Sequence, residues 1–287
     1  MSIVARSLAI ALILFVLANP AAANPATRIV STAPSLTELV FAAGAGAKLV
    51  AVSAYSDYPA AARALPQVAD AGGIHLEALL ALKPDLVLVW AGGSREADIK
   101  RLHSLGIRTE AIGVAALDDV PIALRRIGAL ADTVAVAEAS ANEFAARLRA
   151  AQTHYASATK ISVFFEISRA PLMTINGKHF LSEALRVCGG ENVFADAGQM
   201  VFEPSREALL LKNPQAVFYG ASKLAPATPA TPRDNRLYDA LLASRLGNIT
   251  ALDADLILRP GPRLMDAVDE TCAALARIRQ KNNQRGL

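Results

Sequence analysis

Aromatic residues are few, 5% of the 287-residue chain with a single Trp, and cysteines number only two. Any surface that works by ring stacking must therefore rest on individual side chains. Charge of one sign is also missing. The 29 basic and 26 acidic residues are interspersed, net +3, with no block able to track a phosphate backbone, which removes nucleic-acid binding as a first reading. Beyond the first two dozen residues no apolar run reaches the roughly 20 residues a membrane-spanning helix needs. What is present is 53% apolar and 19% charged, too hydrophobic for a disordered chain and long enough for one large or two medium domains.

The N-terminus reads as a secretory signal peptide over 1–23. Arg6 precedes an apolar run over 8–18, and Ala21-Ala22-Ala23 fits a small-residue cleavage site before Asn24. The alternative is an uncleaved anchor. No Cys lies near the cleavage site to take a lipid, so export predicts a mature chain in a periplasm. In that oxidising compartment Cys188 and Cys272 allow one pairing, a disulfide, against the alternative of two buried thiols.

Past residue 28 the periodicity alternates strand and helix. Strands are predicted at 29–31, 49–52, 86–90 and 108–112, and helices at 36–43, 76–82 and 97–105, with Gly44 and Gly106 as helix stops. The grammar then recurs. Glu77-Ala78-Leu79-Leu80, Pro84 and Val87 match Glu207-Ala208-Leu209-Leu210, Pro214 and Val217 at equal spacing. Leu36-Thr37-Glu38 leading to Gly44 likewise matches Leu181-Ser182-Glu183 leading to Gly189. Two α/β lobes of similar construction follow, 24–117 and 159–287. Between them, 118–158 has apolar residues at helical intervals and no Gly after Gly128, which predicts a long helix, broken at most once, acting as a strut. A cleft between such lobes is a favoured place for a small-molecule site. The Pro-rich stretch 225–232 reads as a surface loop, and the basic tail from Arg277 as a frayed end.

Catalytic signatures are missing. Gly44-Ala45-Gly46 lacks the third glycine of a dinucleotide loop and follows a helix, and no phosphate-loop lysine motif occurs. Ser94 and Ser222 lack the flanking glycines of a nucleophile elbow. His75, His103, His154 and His179 are scattered, leaving only a cross-cleft metal pair of His75 and His179 to weigh against ordinary loop histidines. The expectation is a binding protein and not an enzyme.

What remains sits at predicted strand ends. Tyr55 and Tyr58 lie in Ser53-Ala54-Tyr55-Ser56-Asp57-Tyr58-Pro59, and Trp90 precedes Ala91-Gly92-Gly93. Their flat faces and polar tips suit a bulky planar ligand. The alternatives are turn packing for Tyr58 and core capping for Trp90. Asp255, Arg259 and Arg263 surround Pro260-Gly261-Pro262; Arg259 could donate to ligand oxygens, whereas Arg263 at a helix start suits pairing with local acids. Glu77 and Glu207 each open a helix, where the dipole favours a carboxylate, and the repeat sets them on matching sites of the two lobes.

With these motifs assembled, the chain resembles the periplasmic substrate-binding proteins of the helical-backbone class that serve ABC importers, and among them the cobalamin binders. The densest stretches are 53–59, 82–93 (Leu-Lys-Pro-Asp-Leu-Val-Leu-Val-Trp-Ala-Gly-Gly), 187–194 (Val-Cys-Gly-Gly-Glu-Asn-Val-Phe) and Ser205-Arg206-Glu207. The resemblance implies two Rossmann-like lobes joined by a single long backbone helix, with a corrinoid such as cobalamin carried in the cleft as transported cargo. It implies ligand contacts from Tyr55, Trp90, Asp255 and Arg259, and docking of Glu77 and Glu207 on arginines of an inner-membrane permease dimer with its ATPase subunits. It further implies a Cys188–Cys272 disulfide, no metal of its own and a monomer when free. The chain departs from the cobalamin binders where it carries Ala71, Val201 and Leu172-Met173-Thr174 in place of ligand-facing rings, with Phe202 or Met173 as possible substitutes. The segment 256–263 is also similar to haem-binding and siderophore-binding relatives, which keeps those ligands open, with Tyr55 as the axial group in a haem reading.

Overall fold

In the computed structural model, residues 24–221 and 236–286 are described. The predicted signal peptide 1–23, Ser222 and the Pro-rich loop 225–232 lie outside the described residues. The first lobe is built from β1 (Ile29–Ser31), α1 (Pro34–Ala42), β2 (Leu49–Ser53), β3 (Gln67–Asp70), β4 (Gly73–Ile74), α2 (Leu76–Ala81), β5 (Leu86–Trp90), α3 (Glu96–Ser104) and β6 (Thr109–Ile112). Two helices follow, α4 (Asp119–Ala131) and α5 (Val134–His154). The second lobe comprises β7 (Ile161–Glu166), β8 (Ser168–Arg169), β9 (Leu172–Ile175), α6 (Phe180–Val187), β10 (Gly190–Asn192), β11 (Val201–Phe202), α7 (Arg206–Lys212), β12 (Ala216–Ala221), α8 (Arg236–Asp239), α9 (Leu242–Leu246), β13 (Ile249–Asp253), α10 (Ala254–Ile257) and α11 (Leu264–Gln284).

The sheet orders reproduce the sequence repeat. The first lobe's sheet runs β4-β3-β2-β1-β5-β6 and the second lobe's main sheet β10-β7-β12-β13, so β2-β1-β5-β6 and β10-β7-β12-β13 are the same parallel arrangement made twice. The matched pair Val87 and Val217 sits on equivalent strands, β5 and β12. Both strands are apolar on successive residues because both sheet faces are covered. Along β5, Leu86 and Leu88 enter a core cluster shared with α1 and the linking helices, while Val87 and Val89 enter a separate cluster toward Leu79 and Leu102. Along β7, Val163 and Phe165 face the shared core and Phe164 the opposite side, with Leu209 and Tyr238. The shared core thus runs unbroken through both lobes. A small antiparallel sheet, β11-β9-β8, adds to the second lobe and was not anticipated by the periodicity.

The connection is broken once, within what the sequence allowed. α4 ends at Asp132, which adopts a left-handed cap with φ of 54°, and α5 starts afresh. A Cβ on Gly128 would lie 2.3 Å from the Ala137 Cβ, so the glycine lets α4 and α5 pack at close range, and the break turns the chain back onto itself. α4 belongs to the first lobe: Ala26 donates to the Leu130 carbonyl, and Arg126 grips Glu110 of β6. α5 is the strut. Its Ser140 hydroxyl donates to the Ala42 carbonyl of α1, and two turns on Arg147 binds Asp266 and Asp269 of α11, each at 2.7 Å. At 21 residues α5 is about 30 Å long, enough to touch both lobes.

The C-terminal segment also differs from a frayed end. α11 continues to Gln284 with Ile278 and Asn282 buried, and the Arg279 guanidinium donates to the carbonyls of Thr159 and Cys188. The basic residues there are spaced between buried ones, so the helix docks by its apolar face. The Cys188–Cys272 disulfide ties the end of α6 to the middle of α11. No helix among the described residues is long and apolar enough to cross a membrane. Closing a loop of 84 residues should stabilise the fold by about 4 to 5 kcal/mol in the chain-entropy view. A Cys188→Ser, Cys272→Ser double variant should lose that amount in urea unfolding, and an unchanged midpoint would contradict it.

Candidate functional site

Parallel strands deliver their last residues to one edge, and in this protein the two lobes turn those edges toward each other. A cavity of about 750 Å³ lies between them. The first lobe supplies Trp90, Ala91 and Gly92 after β5, Gly113 to Ala115 after β6, and Asp119 at the start of α4. The second lobe supplies Ile167 after β7, His179 to Leu181 at the start of α6, Met200 before β11, and Leu258 and Pro260 after α10. The wall is mostly apolar, and its charged or imidazole side chains are Asp119 and His179.

Trp90 is held by its own turn. Its N–H donates to Ser94 Oγ at 2.9 Å, and its carbonyl accepts from Gly93 and Ser94. A Cβ at Gly93 would fall 2.6 Å from the indole Cδ1, so the ring lies over a residue that can carry no side chain. Trp90 packs on the shared core and lines the cavity too, which joins the two readings the sequence left open. Its other side borders a smaller cavity of about 190 Å³ where Ala71, Asp70, Arg95 and Asp98 meet.

The loop 53–59 is fixed by buried hydroxyls. Ser31, Thr37, Ser53 and Ser56 are all buried and linked in a chain, Ser31 to Thr37 at 2.5 Å, Thr37 to Ser56 at 2.9 Å and Ser56 to Ser53 at 3.1 Å. This anchorage leaves Tyr55 at the tip, with φ of 63° and 79% exposed, beside the same sheet edge but not among the residues lining the cavity. Tyr58 instead receives the Arg263 guanidinium over its ring at 4.0 Å.

Asp255 and Arg259 lie in a cluster of ion pairs between the lobes, beside the cavity. Arg259 pairs with Asp57 of the first lobe and with Asp255 at 3.0 Å, and lies 3.7 Å from Glu38. Arg263 holds Glu38 in a two-pronged grip at 2.8 and 2.5 Å. The acids that Arg263 meets are therefore not all local: Glu38 is 225 residues away in sequence and lies in the other lobe. The hydrogen bond from Arg259 holds the Asp57 carboxyl below its ordinary range. These five charges bridge the lobes beside the cavity, whereas Leu258 and Pro260, flanking Arg259, line it. Sequence reasoning found the charged residues because charge near Pro and Gly is conspicuous; the apolar neighbours carry no such signal.

Glu77 and Glu207 are both exposed in the first turns of α2 and α7, and neither has an ion pair among the described residues. Exposed apolar side chains accompany them, Leu80 on the first lobe and Leu210 and Leu211 on the second. Of the suggested ring substitutes, Phe202 packs edge-on to Phe194 at 5.6 Å in the second lobe's outer core, and Met173 does not line the cavity. Phe180 and Met200, unmarked in the sequence, line the cavity. His75 bonds Asp70 at 3.2 Å, and among the described residues no group of three potential metal ligands gathers.

His179 caps α6, its Nδ1 accepting from the Leu181 N–H at 3.2 Å. Burial pushes its pKa down to about 4. A folded-state value below the ordinary 6.5 means that the unfolded chain takes up a proton first as pH falls. The stabilisation is complete above about pH 6.5 and is lost toward pH 4, up to about 3 kcal/mol. Urea unfolding at pH 7 and pH 4.5 should show a steeper loss for the wild type than for His179→Gln; parallel losses would refute it.

Comparison with known proteins gives a consistent picture. A family described as periplasmic binding protein matches residues 29–258. A vitamin B12-binding protein of Vibrio cholerae serotype O1 is 37% identical over 258 residues, 90% of this chain and 91% of the relative. Another, from Vibrio vulnificus, is 32% identical over 280 residues, covering 96% and 99%. The crystal structure of the periplasmic vitamin B12 binding protein of Vibrio cholerae superposes with a TM-score of 0.80 at 36% identity, over 89% of this chain and 98% of that one. A periplasmic heme-binding protein solved with two hemes superposes at 0.78 with 23% identity, covering 88% and 98%, and so shares the fold. By the length and level of these matches, this chain belongs to the periplasmic binding protein family.

Proposed function

We propose that the protein captures a corrinoid in the cavity between its lobes, in the periplasm after export by the signal peptide over 1–23, and hands it to an ABC importer in the inner membrane. The observation that carries this reading is the 750 Å³ inter-lobe cavity walled by Trp90, Phe180, Met200 and Leu258, in a chain whose relatives are named for vitamin B12. A broad apolar wall with few polar groups suits a large ring system that is to be carried and not altered. Among the described residues nothing in the wall pairs a nucleophile with a base, and the relatives are named as binding proteins, which supports a role without chemistry.

Trp90 would lie against the corrin, and Tyr55, exposed beside the same sheet edge, would reach the part of the ligand that extends past the cavity. Asp255 and Arg259 would act on the ligand through the shape of the inter-lobe seam. In the haem reading, which the heme-binding structures of the same fold keep in play, Tyr55 is the phenol free to bind iron. Calorimetric titration with cyanocobalamin, haemin and a ferric siderophore separates these ligands. Saturable heat with cyanocobalamin at micromolar concentration is expected, and silence at tens of micromolar would remove the corrinoid.

Glu77 and Glu207, without an ion pair among the described residues and similarly placed on α2 and α7, support docking of both lobes on basic residues of a two-fold symmetric permease. The double variant Glu77→Ala, Glu207→Ala should slow uptake in a reconstituted importer at least about fivefold, the scale of two lost charge contacts. Undiminished uptake would rule the docking role out.

A further inference from the structure

The polar side chains in the cavity wall differ in what they can accept. Asp119 receives the N–H groups of Ala115 and Ala116 at 2.8 and 2.9 Å, both on Oδ2, and Oδ1 has no partner among the described residues. His179 accepts the Leu181 N–H on Nδ1, so the neutral ring carries its proton on Nε2, which also has no partner among the described residues. One lobe therefore presents an anionic acceptor, and the other a neutral donor of fixed tautomer. Among the described residues, no lysine or arginine side chain lines the cavity. The nearest arginine in sequence, Arg259, is occupied by Asp57 and Asp255 with Glu38 beside them. With Arg263 included, two guanidinium groups face three carboxylates, so this cluster offers no spare positive charge to the cavity.

We propose that Asp119 and His179 make the cavity selective for a flat ligand fringed with neutral carboxamides over one fringed with carboxylates. The inference rests on the corrinoid reading and sharpens it to the chemistry of the ring's periphery. A carboxamide has a carbonyl that accepts from His179 Nε2–H and an NH2 that donates to Asp119 Oδ1. A carboxylate can use only the first; toward Asp119 it brings like charge in a partly dehydrated site with no compensating cation among the described residues. Amide-bearing corrinoids meet this requirement. Haem, with two propionates, and cobyrinic acid, a corrin with carboxylates in place of the amides, do not.

The test uses the full mature protein and two probes sharing one ring, dicyanocobinamide and dicyanocobyrinic acid, titrated by calorimetry at pH 7.5 and low salt. The amide form should bind at least roughly tenfold more tightly. Asp119→Asn keeps an oxygen for the Ala115 and Ala116 N–H groups and removes the charge; it should narrow the ratio to about threefold or less. His179→Asn retains a side chain able to cap α6 but withdraws the imidazole donor, and should weaken cyanocobalamin about fivefold. Thermal unfolding of each variant checks that the fold is intact, and the affinity ratio is a readout that a merely structural role would not move. Equal binding of the two probes by the wild type, or an unchanged ratio in Asp119→Asn, would overturn the selectivity and leave the corrinoid reading standing. Absence of binding by both cobinamide and cyanocobalamin would instead remove the corrinoid reading and this inference together.

Discussion

The spacing of the two lobes depends on Glu38, a carboxylate almost wholly buried in α1 of the first lobe, finding its partner Arg263 in the second. A charge so placed is costly unless it is paired and hydrogen-bonded, and removing one partner of such a pair typically costs about 3 to 5 kcal/mol because the other is stranded. The pairing is bidentate, and Arg263 also lies over the Tyr58 ring. Displacing one lobe from the other would expose Glu38 unpaired and break Asp57 from Arg259 together with it. The seam therefore behaves as one electrostatic unit, and the cavity it borders inherits a defined width.

Around that seam the load is divided between elements. α5 braces both lobes from outside through Ser140 and Arg147, the apolar core runs through both sheets, and the Cys188–Cys272 bridge secures α11, the helix that Arg263 begins. Charge, hydrophobic burial and covalent linkage thus converge on the same geometry. The cavity wall can then be built from short loops after strands, which would otherwise be the most mobile places for a site. The hydroxyl chain of Ser31, Thr37, Ser53 and Ser56 performs the same task for the loop that holds Asp57 and Tyr55.

Much of this architecture is legible in the sequence because it follows from periodic patterns. The apolar run at Leu86–Trp90 with Pro84 before it reads as a buried parallel strand, and the equal spacing of Glu77 to Val87 and Glu207 to Val217 reads as one unit made twice. The features without a sequence signature depend on long-range contacts. Whether Arg263 meets a local acid or Glu38, 225 residues away, has no sequence period to reveal it. The kink after α4 depends on Gly128 accepting Ala137, a packing event, and the end of α11 on Arg279 reaching Thr159 and Cys188. The site divides in the same way. Trp90 stands out as a lone indole at a strand end, whereas Met200, Leu258 and Phe180 are ordinary apolar residues until the fold sets them around one space.

A site of this kind binds by what it has already spent on folding. Trp90 is clamped over Gly93, His179 has one nitrogen committed to the Leu181 N–H, and Asp119 has one oxygen committed to the Ala115 and Ala116 N–H groups. Each group thereby loses its freedom before any ligand arrives, and the entropy that association would consume in ordering the wall is correspondingly small. The same commitments limit what can be bound: among the described lining side chains the donors without a partner are His179 Nε2 and the Trp90 indole N–H, the carboxylate acceptor is Asp119 Oδ1, and none is a lysine or arginine that could compensate an anionic guest. In the proposed role of capture and release, an apolar wall would supply area and the uncommitted polar atoms of Asp119 and His179 would supply selection. Among the described residues, the arginines nearest the cavity are already used by this seam to hold itself together.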